Sequence, residues 1–178
     1  MAEQQTRQQV LAHVVRQTVP LTTRFLVGFD ESSSTRQAPG LPNHVSWSLG
    51  HLALTLHRAA EKFDGVPAPS EDFVVGALAA GDRTRFATES VAFGSTPVDE
   101  AAHFPPVDRA RAIFERAAER LAGVVERAAD ADLERQIAWG TGTISLGDLV
   151  VRVAFHNGIH AGQITDLRRG LGMGRILG

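Results

Sequence analysis

Residues 145–170, SLGDLVVRVAFHNGIHAGQITDLRRG, form one unbroken helical pattern that limits the architectures open to the chain. Ser145 followed by Asp148 is an S-x-x-D capping signature that starts a helix. Gly170 and Gly172 mark its end, and Arg168 and Arg169 put positive charge on the last turn, where the helix dipole favours it. At about 100° per residue, Leu149, Val153, His156, His160, Gln163 and Leu167 fall on one stripe. Both histidines therefore lie on the line that faces the core.

Imidazoles at i and i+4 have Cβ atoms about 5–6 Å apart, so both can reach one ion at roughly 2.0–2.1 Å. The plain alternative is a pair of packed core histidines with satisfied hydrogen bonds. Burying polar rings without partners costs roughly 1–3 kcal/mol each. With a third histidine on another apolar helix, one shared partner is the economical explanation.

That third histidine is His51. Residues 44–65, HVSWSLGHLALTLHRAAEKFDG, read as a helix with Asn43 as cap and Asp64-Gly65 as stop. Trp47, His51, Leu54 and Arg58 share one face of it, and His51 sits mid-helix between apolar neighbours. His44 lies two turns earlier near the helix start, and His57 points elsewhere.

The remaining chain supplies two further helices. Residues 3–29 carry Val10, Val14, Val15, Val19, Leu21, Phe25 and Leu26 at helical spacing, with Pro20 expected to kink the helix. Residues 30–43 are a loop by composition. Residues 106–130 form an amphipathic helix opened by proline, with Ile113, Phe114, Ala117, Leu121, Val124 and Val125 inward. Its alternating Arg and Glu read as a solvated face with i,i+4 pairs and no binding role. Trp139–Thr143 is a tight connection into the final helix.

Residues 66–104 read as an irregular insertion between the second and third helices. Ser70-Glu71-Asp72 opens a short helix, Asp82–Phe93 forms another, and Gly94-Ser95-Thr96-Pro97 is a turn followed by a short helical piece. His103 reads as a surface residue. Four long helices without a convincing strand pattern give an all-α four-helix bundle, where ligand and metal sites form between facing helices.

A length of 178 residues fits one domain, 1–178, with a full core. The net charge of −2 gives no electrostatic case for nucleic acid. All basic residues except Lys62 are arginine, a skew that looks like GC-rich coding bias. There is no cysteine, which excludes disulfides, a protein thiolate nucleophile and Cys-ligated metal sites. A thiol taking part in the chemistry must arrive on a ligand. The N-terminus shows no basic region followed by an apolar run, and no stretch approaches a membrane span. A soluble, cytoplasmic protein is expected.

The W-S-L-G-H-L-A run around His51, together with H-N-G-I-H-A-G-Q-I-T-D-L-R-R at 156–169, resembles the DinB-like (damage-inducible) superfamily, to which the bundle of mycothiol-dependent maleylpyruvate isomerase is related. The resemblance spans nearly the whole chain. It implies an up-down-down-up four-helix bundle, usually dimeric, with a divalent ion, often nickel or zinc, on three histidines. Carried over residue by residue, these ligands are His51, His156 and His160. The activities it implies are mostly transfers using a low-molecular-weight thiol; other members carry only a hydrolase label.

Three neutral imidazoles leave the ion's double charge intact and a position open. Zinc so held lowers bound water from roughly 15.7 to about 7, whereas a thiol starts near about 8.5. Thiolate generation thus asks less of the protein than hydrolysis. Zinc proteases use H-E-x-x-H with glutamate as general base; Asn157 occupies that place here, and Asp166 points away from the stripe. Gln163 can bond substrate, hold a ligand imidazole, or fill a polar core pocket. His44 and Arg58 stand either at the mouth of the site or on the surface.

Ala154, Gly158, Ala161, Gly162 and Thr165 make the back of the last helix small. Glycine in a helix interior costs about 1 kcal/mol relative to alanine, so this face invites close approach, either of the first helix or of a second copy in a homodimer. The leading expectation is a metal-dependent thiol transferase or isomerase acting on a small molecule. A metal-dependent hydrolase drawing a base from residues 66–104, and a non-catalytic metal-binding stress protein, are the rivals.

Overall fold

A computed structural model describes residues 5–77 and 82–176. Its long helices are α1 (Arg7–Arg24), α2 (Val45–Asp64), α3 (Val107–Glu126) and α5 (Leu146–Gly170), with a short α4 (Asp130–Glu134) between the last two. The helix expected at 145–170 forms with Ser145 as N-cap, its hydroxyl accepting from Asp148 N–H. The second helix ends as expected, at Gly65 in the left-handed region (φ +72°). Its cap is His44 rather than Asn43: the His44 Nδ1 accepts from Trp47 N–H. Helix α1 runs through Pro20.

Contacts at the helix ends set the directions. Gln8 in the first turn of α1 bonds the Ala128 carbonyl and Asp130, just past the end of α3, so these two helices are antiparallel. Arg168 near the end of α5 bonds the carbonyls of Phe25 and Val27 just past α1, and Asn157 bonds Thr18, so α1 and α5 are parallel. Arg135, ahead of α5, bonds the Lys62 carbonyl at the end of α2, which sets α2 antiparallel to α5. The His44 ring meets Phe104 just before α3, and Arg120 late in α3 reaches Asp64 at the end of α2. Helices α2 and α3 are therefore parallel neighbours, and the order is up-down-down-up.

Parallel neighbours need a connection that returns the length of the bundle, about 30 Å for a helix of this size. Residues 65–106 are that return. They contain a parallel strand pair, β1 (Phe73–Val74) with β2 (Phe86–Ala87), and two 3-10 turns at Thr88–Ser90 and Ala101–His103. The helices expected at Ser70-Glu71-Asp72 and across Asp82–Phe93 do not form. The Asp82 carboxylate instead takes the backbone N–H and hydroxyl of Thr84, a local bond that competes with helical hydrogen bonding. Phe73 and Phe86, side by side in the strand pair, are buried in the core. His103, expected at the surface, is half-buried.

The tight connection at 139–143 is the turn of an antiparallel hairpin, β3 (Gln136–Trp139) with β4 (Gly142–Ser145), and Gly140 supplies its positive φ of +61°. The polar face of α3 does more than meet solvent. Arg16 on α1 bridges Glu119 and Glu126, while Arg109 and Arg116 both bond Asp72, which is 1% exposed. These pairs tie the return segment and α1 to α3. Among the described residues no helix is long and apolar enough to cross a membrane.

Candidate metal centre

Helices α2 and α5 pack against each other, and that contact brings His51 onto the pair His156 and His160. The His156 Nε2 lies 3.2 Å from the Nε2 of His51 and 3.2 Å from that of His160. A tetrahedral ion with bonds of roughly 2.0–2.1 Å holds its ligand atoms about 3.3 Å apart. Those two spacings match a single ion of that size, and one ligand nitrogen from each of the three rings lies within 4.8 Å of the others. His51 and His160 are each 6% exposed and His156 is half-buried.

The His51 ring is fixed on two sides. Its Nδ1–H donates to the Val91 carbonyl at 2.9 Å, and because a carbonyl only accepts, Nε2 is left with a bare lone pair. Trp47, one turn earlier, stacks on it with centroids 4.6 Å apart and planes 10° from parallel. The Trp47 Nε1–H in turn donates to the Ser95 hydroxyl. The return segment thus orients the first histidine. Gly50 allows this approach, since a Cβ there would lie 2.7 Å from both Phe86 and Val91 side-chain atoms.

Burial keeps all three rings neutral. It pushes the His51 pKa down, carries His156 to about 4 with help from neighbouring His51, and carries His160 to about 3 with help from His156 and His51. Neutral imidazole is the form that binds metal. The Nδ1 atoms of His156 and His160 and the Oε1 of Gln163 are buried without a hydrogen-bond partner among the described residues. No carboxylate among the described residues belongs to the three-histidine cluster.

His51 and His156 line a cavity of about 930 Å³, within the range of small-molecule sites. Its walls include Thr55 and Arg58 of α2, Phe93 of the return segment, Trp139 of the hairpin, and Arg152 and Val153 of α5. Arg58, left between mouth and surface by the sequence, lines this cavity. Gln163 lies one turn beyond His160 on the side away from Arg152, outside the lining. His44 is fully buried in its capping role, its Nε2 bonded to the Val98 carbonyl. Arg152 stands four residues before His156, so the helical arithmetic that found the histidines also reaches it. Val91, Phe93 and the hairpin carry no such periodic signal.

Residues 15–164 match the sequence model of the DinB superfamily. No curated protein sequence matches the chain. Among solved structures it is similar to YfiT from Bacillus subtilis, described as a probable metal-dependent hydrolase with an unusual four-helix bundle topology. That likeness covers 98% of this chain and 93% of YfiT, with a TM-score of 0.66 and 13% identity. A conserved protein from Enterococcus faecalis is similar over 92% of this chain and 96% of its own, with a TM-score of 0.64 and 16% identity. At these identities the likeness is one of fold.

Proposed function

Since the chain belongs to the DinB superfamily, we propose that it is a metal-dependent transferase or isomerase that activates a low-molecular-weight thiol, with His51, His156 and His160 as the ligands of a zinc or nickel ion. The convergence of three neutral imidazoles without an accompanying carboxylate carries this reading. A divalent ion so held supplies Lewis acidity that lowers the pKa of a bound thiol or water. The protein's own share is positional. Val91 and Trp47 hold the His51 ring, and the cavity walls enclose a small molecule above His51 and His156.

Hydrolysis asks for a general base within hydrogen-bond reach of the attacking water. Among the described residues the one carboxylate in the cavity lining is Glu61, ten residues beyond His51 and so about 15 Å along the helix. The described part of residues 66–104, from which a hydrolase would draw its base, contributes Phe93 to the lining. A thiol needs less help to ionise, and a chain without cysteine would take it from solution. The description of YfiT keeps a hydrolase as the second reading.

The test is elemental analysis of protein isolated without an affinity resin, followed by a screen of glutathione, mycothiol and bacillithiol against electrophiles. Transfer that depends on metal and on His156 supports the proposal. A bound ion whose spectrum no thiol perturbs, with esterase or amidase activity instead, favours the hydrolase.

We also propose a homodimer built on the outer faces of α1 and α5. Val151, Phe155 and Ile159 are 54%, 71% and 47% exposed, and Val10 and Val14 of the parallel neighbour α1 are also exposed. Val10 and Val151 line one shallow groove. Gly158 and Gly162 do not face α1: a Cβ at either meets nothing within 4 Å. Ala154 and Ala161 of that small face are buried within the protein, so it is the two glycines that leave room for a second copy.

A further inference from the structure

Three cationic side chains line the cavity above the histidines, Arg58, Lys62 and Arg152, against the single carboxylate of Glu61. Among the described residues neither Arg58 nor Arg152 makes a hydrogen bond or an ion pair, whereas Arg16, Arg109, Arg116 and Arg120 on neighbouring surfaces are engaged by carboxylates.

Their placement follows from helix geometry. Arg58 is seven residues beyond His51 on α2, about 10 Å along the axis, and Arg152 is four residues before His156 on α5, about 6 Å. Because α2 and α5 are antiparallel, both displacements run toward the same end of the bundle. The two guanidinium groups thus stand on the same side of the histidines, on facing helices, at the wall of one cavity. Leu54, Phe93 and Trp139 add apolar and aromatic surface to the same lining.

Electrostatics gives this arrangement a direction. Neutral imidazoles do not offset a divalent cation, and adding arginines to the same cavity raises the local positive potential further. Such a site favours a ligand that brings negative charge. The planar fork of arginine matches an oxyanion with two parallel hydrogen bonds.

We infer that Arg58 and Arg152 form an anion-reading subsite, and that the small molecule handled by this protein carries a carboxylate or phosphate at one end and an apolar body that packs on Phe93 and Trp139. This rests on the cavity serving as the substrate site of the proposed enzyme. The anionic end lies toward Arg58 and Arg152, and the end to be transformed lies toward His51 and His156.

Three probes of similar size separate the ideas: phenylacetate, phenyl phosphate and neutral phenylacetamide. Each is titrated by calorimetry into the metal-loaded protein and into protein stripped with a chelator, in the wild type and in Arg58→Gln and Arg152→Gln. The expected result is at least tenfold tighter binding of one or both anions over the amide, in both metal states. Each single variant removes most of that preference and leaves metal content unchanged, and Arg58→Lys restores part of it. Whether phenylacetate or phenyl phosphate binds tighter identifies the oxyanion.

Equal binding of anions and amide overturns the subsite, as does absence of binding by all three. A preference that survives both substitutions but vanishes with the metal also overturns it, since the ion itself then reads the anion. If the protein takes up no metal yet the arginine-dependent preference persists, the subsite stands and the metal-enzyme reading falls.

Discussion

The backbone carbonyl of Val91 accepts the Nδ1 proton of His51 at 2.9 Å, so a residue of the long return segment fixes the tautomer of a histidine on α2. The segment that the bundle topology demands for purely geometric reasons therefore also orients one histidine of the candidate metal centre. Metal affinity and the packing of residues 86–95 are expected to rise and fall together.

Gly50→Ala tests that coupling. The added Cβ would lie 2.7 Å from the Phe86 ring and from Val91, and the segment must move outward to admit it. Overpacking of this kind costs about 1–3 kcal/mol. Thermal melting of the metal-free variant should fall accordingly, and zinc affinity measured against a chromophoric chelator should drop at least tenfold. A destabilised variant with unchanged zinc affinity would show that Val91 does not orient His51.

His156 is the least buried of the three proposed ligands, so His156→Ala separates metal binding from folding. The metal-free variant should melt within a few degrees of the metal-free wild type. A ligand present at a hundred times its dissociation constant stabilises by about 2.7 kcal/mol, and the wild type should show such a gain on adding zinc. The variant should show little. A variant that still gains fully would remove His156 from the site.

Gln163 lies outside the cavity lining, and its buried Oε1 has no partner; nor has the Nδ1 of His160 one turn before it. Pairing of these two atoms would hold His160 with Nε2 bare, as Val91 does for His51. On that basis Gln163→Ala should weaken metal binding about tenfold while leaving the affinity of a metal-free site for phenylacetate unchanged. The reverse pattern, intact metal affinity and lost ligand affinity, would return Gln163 to direct substrate contact.

The histidine triad and the bundle were legible in the sequence because they repeat at helical spacing: His156 and His160 share a face with Leu149 and Leu167, and burial follows the same period. What escaped was made by non-periodic contacts. The strand at Phe86 and the missing helix across Asp82–Phe93 depend on pairing with Phe73 and on the Asp82 side chain capturing Thr84. His44 offered no sign that its ring would replace Asn43 as the cap, since imidazole is not an ordinary capping group. Val10 and Val14 have the period of a buried stripe but face outward, and a single chain's pattern cannot separate a core from an interface.

His44 and His57 give the protein an acid sensitivity that needs no metal. Burial holds both pKa values down to about 4, and for His57 the neighbouring Arg120, which donates to its Nδ1, opposes protonation further. Asp72 acts the other way on His57 and Arg116 adds to Arg120, while Asp99 favours protonation of His44. Folded pKa values below the unfolded one mean that the unfolded chain binds more protons between about 6.5 and 4. The stability is complete above about pH 6.5 and is lost as pH falls toward 4, by up to roughly 3 kcal/mol for each histidine. Urea unfolding of metal-free protein at about pH 7.5 and about pH 5 should show this slope. It should be shallower in His44→Asn, which keeps a capping side chain. An identical slope in that variant would mean that His44 does not carry it.

Phe155 is 71% exposed on a helix face that also presents Val151, Ile159 and two bare glycines. Apolar groups scattered singly over a surface need no explanation, but Val151, Phe155 and Ile159 share one face of α5, and Val151 meets Val10 of α1 in one groove. Fully covering one large aromatic side chain is worth about 1.5–3 kcal/mol, and an isologous interface counts each such residue twice. An aspartate at this position would meet its symmetry mate or apolar surface in a dimer, yet would be well hydrated in a monomer. Phe155→Asp should therefore convert a dimer to a monomer in light scattering after gel filtration, with the three-histidine metal stoichiometry retained. A wild type that is already monomeric at high concentration, or a variant that remains dimeric, would assign the stripe another role.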